Sequence, residues 1–173
     1  METWISSRVV YEGRIVNLRS GQVRLDDGRE TFREVVEHPG GVAVVPCLGD
    51  SVVLIRQFRI SIGKTIIEIP AGKLERGESP EDRGRTELEE ETGYVAGRMV
   101  PAGHLYPSCG VFSEKIHVFL AFDLVKTEQR LEHDEQIEVF LMDLDEVREK
   151  LARNEFDDAK TIIGLHALLN HKE

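Results

Sequence analysis

The chain has 173 residues, 40% of them hydrophobic and 31% charged, which suits one folded domain with a small appendage and excludes a disordered polymer. Acidic residues outnumber basic ones by 32 to 22, and no basic stripe interrupts the resulting formal charge of −10, so a duplex nucleic acid is excluded as a partner. No apolar run reaches 18 residues, Met1-Glu2-Thr3-Trp4-Ile5 lacks the order of a secretory signal, and Cys47 and Cys109 form no metal-spacing motif; a cytoplasmic protein with reduced thiols and no membrane partner is expected.

Alternations of apolar and polar residues at 8–11, 14–18 and 22–25, punctuated by Gly13, Gly21 and Asp26-Asp27-Gly28, predict β structure in the first forty residues. Asp27-Gly28 is a hairpin signal, with a strand following over 31–36. Residues 41–48 and 51–58, rich in Val and Ile and joined across Gly49-Asp50, have the pattern of buried strands, and a brief strand at 66–69 stops at Pro70. Ser79 as N-cap and Pro80 at the first helical position start a helix that runs to Thr92 and stops at Gly93. Strands follow at 99–105, 115–123 and 137–141, and helices at 143–152 and 158–170. Many strands with few helices predict an α+β domain, a mixed sheet layered by helices.

The informative helix carries Glu87, Glu89, Glu90 and Glu91. Glu87, Glu90 and Glu91 stand at i, i+3 and i+4 and therefore share one face. Like charges at that spacing repel by a few tenths of a kcal/mol per pair, and the helix dipole disfavours anions at a C-terminal end. A divalent cation reverses both penalties, and a set of carboxylate oxygens suits Mg²⁺ or Mn²⁺. Glutamates alone also suit a solvated helix face. Their setting is more specific: Gly72, five residues, Glu78, seven residues, Thr86, Glu87, Leu88, Glu89, Glu90, Glu91, Thr92, Gly93, Tyr94.

This stretch resembles the Nudix box at every position but one. Beyond it, Arg56-Gln57-Phe58-Arg59, 67–72, Tyr106-Pro107-Ser108, 114–117 and 134–138 are similar to ADP-ribose pyrophosphatases of that family. The resemblance implies an α/β/α sandwich with a mixed sheet and a loop–helix–loop motif. It also implies a division into a Nudix domain over 41–173 and an antiparallel β region over 1–40 that serves a homodimer.

By position, the resemblance makes Glu87, Glu90 and Glu91, with the carbonyl of Ala71, the ligands of Mg²⁺, with Mn²⁺ as substitute. Glu87 and Glu91 are also expected to act in catalysis. Glu135 matches a candidate general base, with Glu132 and Asp134 as rivals and a solvated acidic loop as the plain alternative. Arg33 and Arg59 match arginines that contact phosphates or the terminal ribose, against surface salt-bridging as the alternative. Ile15 matches a contact to the base, against a role in the core. Trp4 suits stacking on adenine or packing at a dimer contact. His104, His117, His166 and His171 show no ligand spacing.

The implied reaction is hydrolysis of ADP-ribose, a nucleoside diphosphate-linked small molecule, to AMP and ribose 5-phosphate. Hydrolysis of other nucleoside diphosphate sugars is the alternative in the same class, and a nucleotide-sensing module that does not cut its ligand is the alternative from another. Two departures bear on this. Thr86 stands where the box has arginine, with Arg83 one helical turn before Glu87 as a candidate replacement. Cys109 stands where relatives carry the proline of Ser-Pro-Gly. Gly84, inside the helix, costs about 1 kcal/mol relative to alanine.

Overall fold

The computed structural model describes residues 1–75 and 77–172. The chain divides into two units, one of residues 1–40 with 106–115 and the other of residues 41–105 with 116–172. The first unit is an antiparallel sheet of β1 (Glu2–Glu12), β2 (Asn17–Leu25) and β3 (Glu30–Glu37), with β2 in the middle. Residues 26–29 close the β2–β3 hairpin, where the N–H of Gly28 donates to the Leu25 carbonyl at 3.0 Å. The 106–115 segment is fastened to β3 through Val36, whose N–H donates to Val111 (2.8 Å) and whose carbonyl accepts from Ser113 (2.9 Å).

The expected strand at 14–18 is in part a turn. The N–H of Gly13 donates to the Val16 carbonyl at 3.0 Å, reversing the chain so that β2 begins only at Asn17. Ile15 sits on that turn with 60% of its surface exposed, so the core alternative for it fails. β1 is also longer than the alternation at 8–11 implied. It is an edge strand exposed along its whole length, so its residues carry no inside–outside pattern.

In the second unit, β4 (Gly41–Leu48) and β5 (Ser51–Arg59) leave a hairpin at Gly49-Asp50 and then splay apart. Into the gap come β6 (Lys64–Glu68), paired with β5, and the three-residue β7 (Ala71–Lys73), paired with β4. β8 (Tyr94–Leu105) pairs with β9 (Ile116–Lys126), β9 lies parallel to β4, and β10 (Ile137–Asp143) closes the other edge against β5. The main path is β10-β5-β4-β9-β8, a mixed sheet.

Helices cover both faces. On β4, Val44 packs with Leu88 of α1 (Pro80–Thr92), while Ala43 and Val45 join the cluster that holds Leu165 and Leu168 of α3 (Ala159–Asn170) and Val147 and Leu151 of α2 (Leu144–Ala152). Each principal helix approaches the sheet at a glycine. A Cβ on Gly84 would lie 3.1 Å from Val42 and 3.2 Å from Val44, and one on Gly164 would lie 2.8 Å from Val45 and 2.9 Å from Ile69. The helix-propensity cost of Gly84 therefore secures close packing of α1 on β4. Among the described residues no helix is long and apolar enough to cross a membrane.

Candidate active site

Pro80 at the start of α1, with Glu81 and Asp82 in its first turn, suits the positive end of the helix dipole. At the other end Gly93 adopts the left-handed conformation (φ +66°) and its N–H donates to the Glu89 carbonyl at 2.8 Å. The last turn holds no basic residue, and its carbonyls are satisfied from the end of β9 and the segment that follows it. Lys126 Nζ donates to Thr92 O (3.0 Å), Gln129 Nε2 to Glu91 O (2.6 Å) and the Arg130 N–H to Glu90 O (2.9 Å). Arg130 also pairs with Glu89 at 2.8 Å. The loop that carries Glu135 is thus tied to the helix that carries the other glutamates.

With Leu88 anchored in the core, Glu87 and Glu91 are drawn inward on the same helix face, at 5% and 3% exposure. Glu90 is half-buried beside them. Glu87 forms an ion pair with Arg83 one turn earlier, and Glu91 Oε2 accepts the Ala71 N–H at 2.9 Å. β7 presses so closely on α1 that a Cβ on Gly72 would fall 1.5 Å from Glu87 Oε1. Thr86 reaches none of the glutamates, since its hydroxyl donates to the Asp82 carbonyl within the helix. Arg83 meanwhile feels the charges of Glu87, Glu78 and Glu90, and its Nε is buried without a hydrogen-bond partner.

Burial sets the electrostatics. It pushes Glu87 up to about 7 against the pull of Arg83, with Glu90 and Glu135 adding to the rise. It pushes Glu91 up to about 8 despite the Ala71 hydrogen bond, with Glu87 and Glu135 adding and Arg59 opposing. Glu135 therefore acts on both helix carboxylates. Its Oε2 accepts from the Glu132 N–H at 3.0 Å. Glu132 and Asp134 are exposed.

Arg59, at the end of β5, is close enough to act on Glu91, and its guanidinium is bound by both oxygens of Glu68. Glu68 had no assigned role in the sequence, although a lone carboxylate inside the apolar run 66–69 is the signal that marks it. Arg33 lies in the N-terminal unit, where its guanidinium binds Glu2 at 2.7 and 3.0 Å. Trp4 is exposed on β1 in the same unit.

The donor set suits a hard divalent cation. It offers carboxylates on one helix face, two of them buried and repelling one another, in a cradle that a side chain at residue 72 would fill. Glu87 and Glu91 are turned to Arg83 and to the Ala71 amide, and among the described residues no three His, Cys, Asp or Glu side chains have converged as a ready-made metal cluster.

The NUDIX domain family matches residues 37–163. The chain belongs to the Nudix family. As a Nudix hydrolase it is an enzyme of the pyrophosphohydrolase kind. An ADP-ribose pyrophosphatase of Bacillus subtilis is 38% identical, over 96% of this chain and 92% of the relative. A methanol dehydrogenase activator of Bacillus methanolicus is 37% identical, over 99% and 97%. A GDP-mannose pyrophosphatase of Cronobacter sakazakii is 38% identical over 79% of this chain and 76% of the relative. A solved structure described as an ADP compounds hydrolase superposes with a TM-score of 0.85 at 21% identity, covering 97% of this chain and 92% of that one, and bears out the fold.

Proposed function

We propose that this Nudix enzyme hydrolyses ADP-ribose to AMP and ribose 5-phosphate in a reducing, cytoplasmic setting. The observation that carries the reading is the buried pair Glu87 and Glu91, held on one face of α1 with Glu135 acting on both and Arg59 on Glu91. The near full-length similarity to an ADP-ribose pyrophosphatase supports the choice of substrate.

Glu87, Glu90 and Glu91, with the Ala71 carbonyl, would hold Mg²⁺, or Mn²⁺ in its place. When bound, such an ion supplies Lewis acidity toward the pyrophosphate and lowers the pKa of the attacking water. Arg59 binds a phosphate oxygen through the guanidinium edge that Glu68 leaves open. Glu135 takes the proton of the attacking water at Oε1, its Oε2 being held by the Glu132 amide. Water adds to one phosphorus as the bridging oxygen leaves on the other, a displacement governed by positioning and charge neutralisation. Arg33 and Ile15 are assigned contacts to the phosphates or ribose and to the base. Arg33 must exchange its bond to Glu2 to make its contact.

A homodimer belongs to the same proposal. In the N-terminal unit Val23 is the one fully buried apolar side chain among the described residues, while Trp4, Ile5, Val9, Val10 and Tyr11 line an exposed edge strand. A three-stranded sheet with so little core gains from covering that edge.

Hydrolysis of another nucleoside diphosphate sugar is the second reading, favoured by the similarity to a GDP-mannose pyrophosphatase and by Cys109 in the Ser108-Cys109-Gly110 loop. A sensor that binds without cutting has no use for two buried, mutually repelling carboxylates. Turnover of ADP-ribose, GDP-mannose and other nucleoside diphosphate sugars with Mg²⁺ separates these readings, with Glu91→Gln as control. ADP-ribose is expected to be cut fastest, with activity lost in the variant. Faster cleavage of a sugar nucleotide moves the assignment to the second reading, and tight Mg²⁺-independent binding without turnover moves it to a sensor.

A further inference from the structure

Glu68 is 1% exposed in β6, and a carboxylate so buried persists only if its oxygens are paired and bonded. Arg59 Nε donates to Oε1 at 2.6 Å and Arg59 Nη2 to Oε2 at 2.9 Å. Lys160 Nζ, from the first turn of α3, also donates to Oε2. Burial pushes the Glu68 carboxyl up, but these two cations outweigh it and hold it below its ordinary range.

The cluster closes on itself. Lys160 pairs a second time with Asp158 Oδ2 at 3.0 Å. Asp158 caps α3, accepting from the Thr161 N–H (2.9 Å) and from Thr161 Oγ1 (2.5 Å). Thr161 Oγ1 accepts in turn from the Ile69 N–H, the residue after Glu68, at 2.9 Å. Arg59, Lys160, Glu68 and Asp158 carry two positive and two negative charges, which cancel. Among the described residues the Nη1 edge of Arg59 takes no hydrogen bond, so the cluster fixes one edge of the guanidinium and leaves the other for a ligand.

We propose that Lys160 is a positioning residue for Arg59, with Asp158 as its counter-charge. This rests on the reading that Arg59 contacts a phosphate of the substrate. Without the lysine, Glu68 keeps one cationic partner, and Arg59, Glu68 and Asp158 together bear one net negative charge. An anionic substrate then meets a loosened guanidinium in a repulsive field. The effect falls on substrate binding, because Lys160 is not itself a group that takes part in the displacement.

The test compares KM and kcat for ADP-ribose, and the Kd of ADP by calorimetry, in the wild type, Arg59→Ala, Lys160→Met and the double variant Asp158→Asn with Lys160→Met. Lys160→Met is expected to raise KM and Kd about fivefold with kcat within about twofold. Asn caps a helix as well as Asp does, so the double variant restores charge balance and is expected to return KM to within about twofold of wild type. A lowered Tm with unchanged KM and Kd in Lys160→Met, while Arg59→Ala raises both, overturns the proposal and leaves the Arg59 reading standing. Unchanged KM and Kd in Arg59→Ala overturns that reading and this proposal with it. If the methionine variant does not fold, Lys160→Gln, which keeps a donor and loses the charge, decides by the same fivefold criterion.

Discussion

Arg83 stands one helical turn before Glu87 and forms an ion pair with it, while Thr86, at the arginine position of the Nudix box, bonds back into its own helix. The positive charge beside the glutamates has moved by three residues and remains on the same helix. Arg83→Ala is expected to lower kcat/KM at least tenfold, and Thr86→Arg in that background to recover part of the loss. Wild-type kcat/KM in Arg83→Ala would show that the pair is ornamental.

Metal-free stability should depend on pH in an unusual direction. The folded values of Glu87 and Glu91, about 7 and 8, lie above the ordinary carboxylate value of 4.5, so the unfolded chain releases these protons first. Their contribution is fully present below about pH 4.5 and is lost as pH rises through 7 and 8. In chelator, the Tm is expected to fall by about 5 °C or more between pH 6 and pH 8.5, and added Mg²⁺ to restore more of it at the higher pH. A chelated Tm that rises across this interval counts against buried, repelling carboxylates.

Two glycines should separate activity from stability. In Gly72→Ala the new methyl collides with the end of the Glu87 side chain, which can turn away. Folding is expected to survive with a Tm near wild type, while kcat falls tenfold or more. In Gly164→Ala the collision is with Val45 and Ile69 in the packed core, and a loss of about 1–3 kcal/mol is expected with kcat unchanged. Denaturant titration and turnover assays on both variants check the contrast, and it fails if Gly72→Ala retains full kcat.

The edge strand β1 offers a simpler test. Sedimentation at micromolar concentration is expected to give about twice the 19.6 kDa chain mass, and Val10→Asp to shift it toward the single chain. A wild-type value near the chain mass rules the homodimer out.

The helix α1 was legible because Ser79, Pro80 and Gly93 mark its ends and Leu88 its inner face. β7 was not, because Ala-Gly-Lys has no strand character of its own and is extended only by pairing with β4. β1 escaped as an edge strand with no buried face. Glu87, Glu90 and Glu91 were readable from their spacing, and so was Arg83 as a candidate partner of Glu87, whereas Glu68 and its bond to Lys160 were not. Arg83 lies four residues from Glu87, but Lys160 lies 92 residues from Glu68 and Gln129 lies 38 from Glu91. No local pattern encodes a pairing at that distance.

The bond from the Ile69 amide to Thr161 also fixes an order of events in synthesis. A ribosome that has delivered residues 1–140 has released every glutamate assigned to the metal and the base. The end of β6 that carries Glu68 then still lacks its tether, because the bond from Ile69 spans 92 residues. The tether at the end of β6 is therefore completed late, only when α3 emerges and docks.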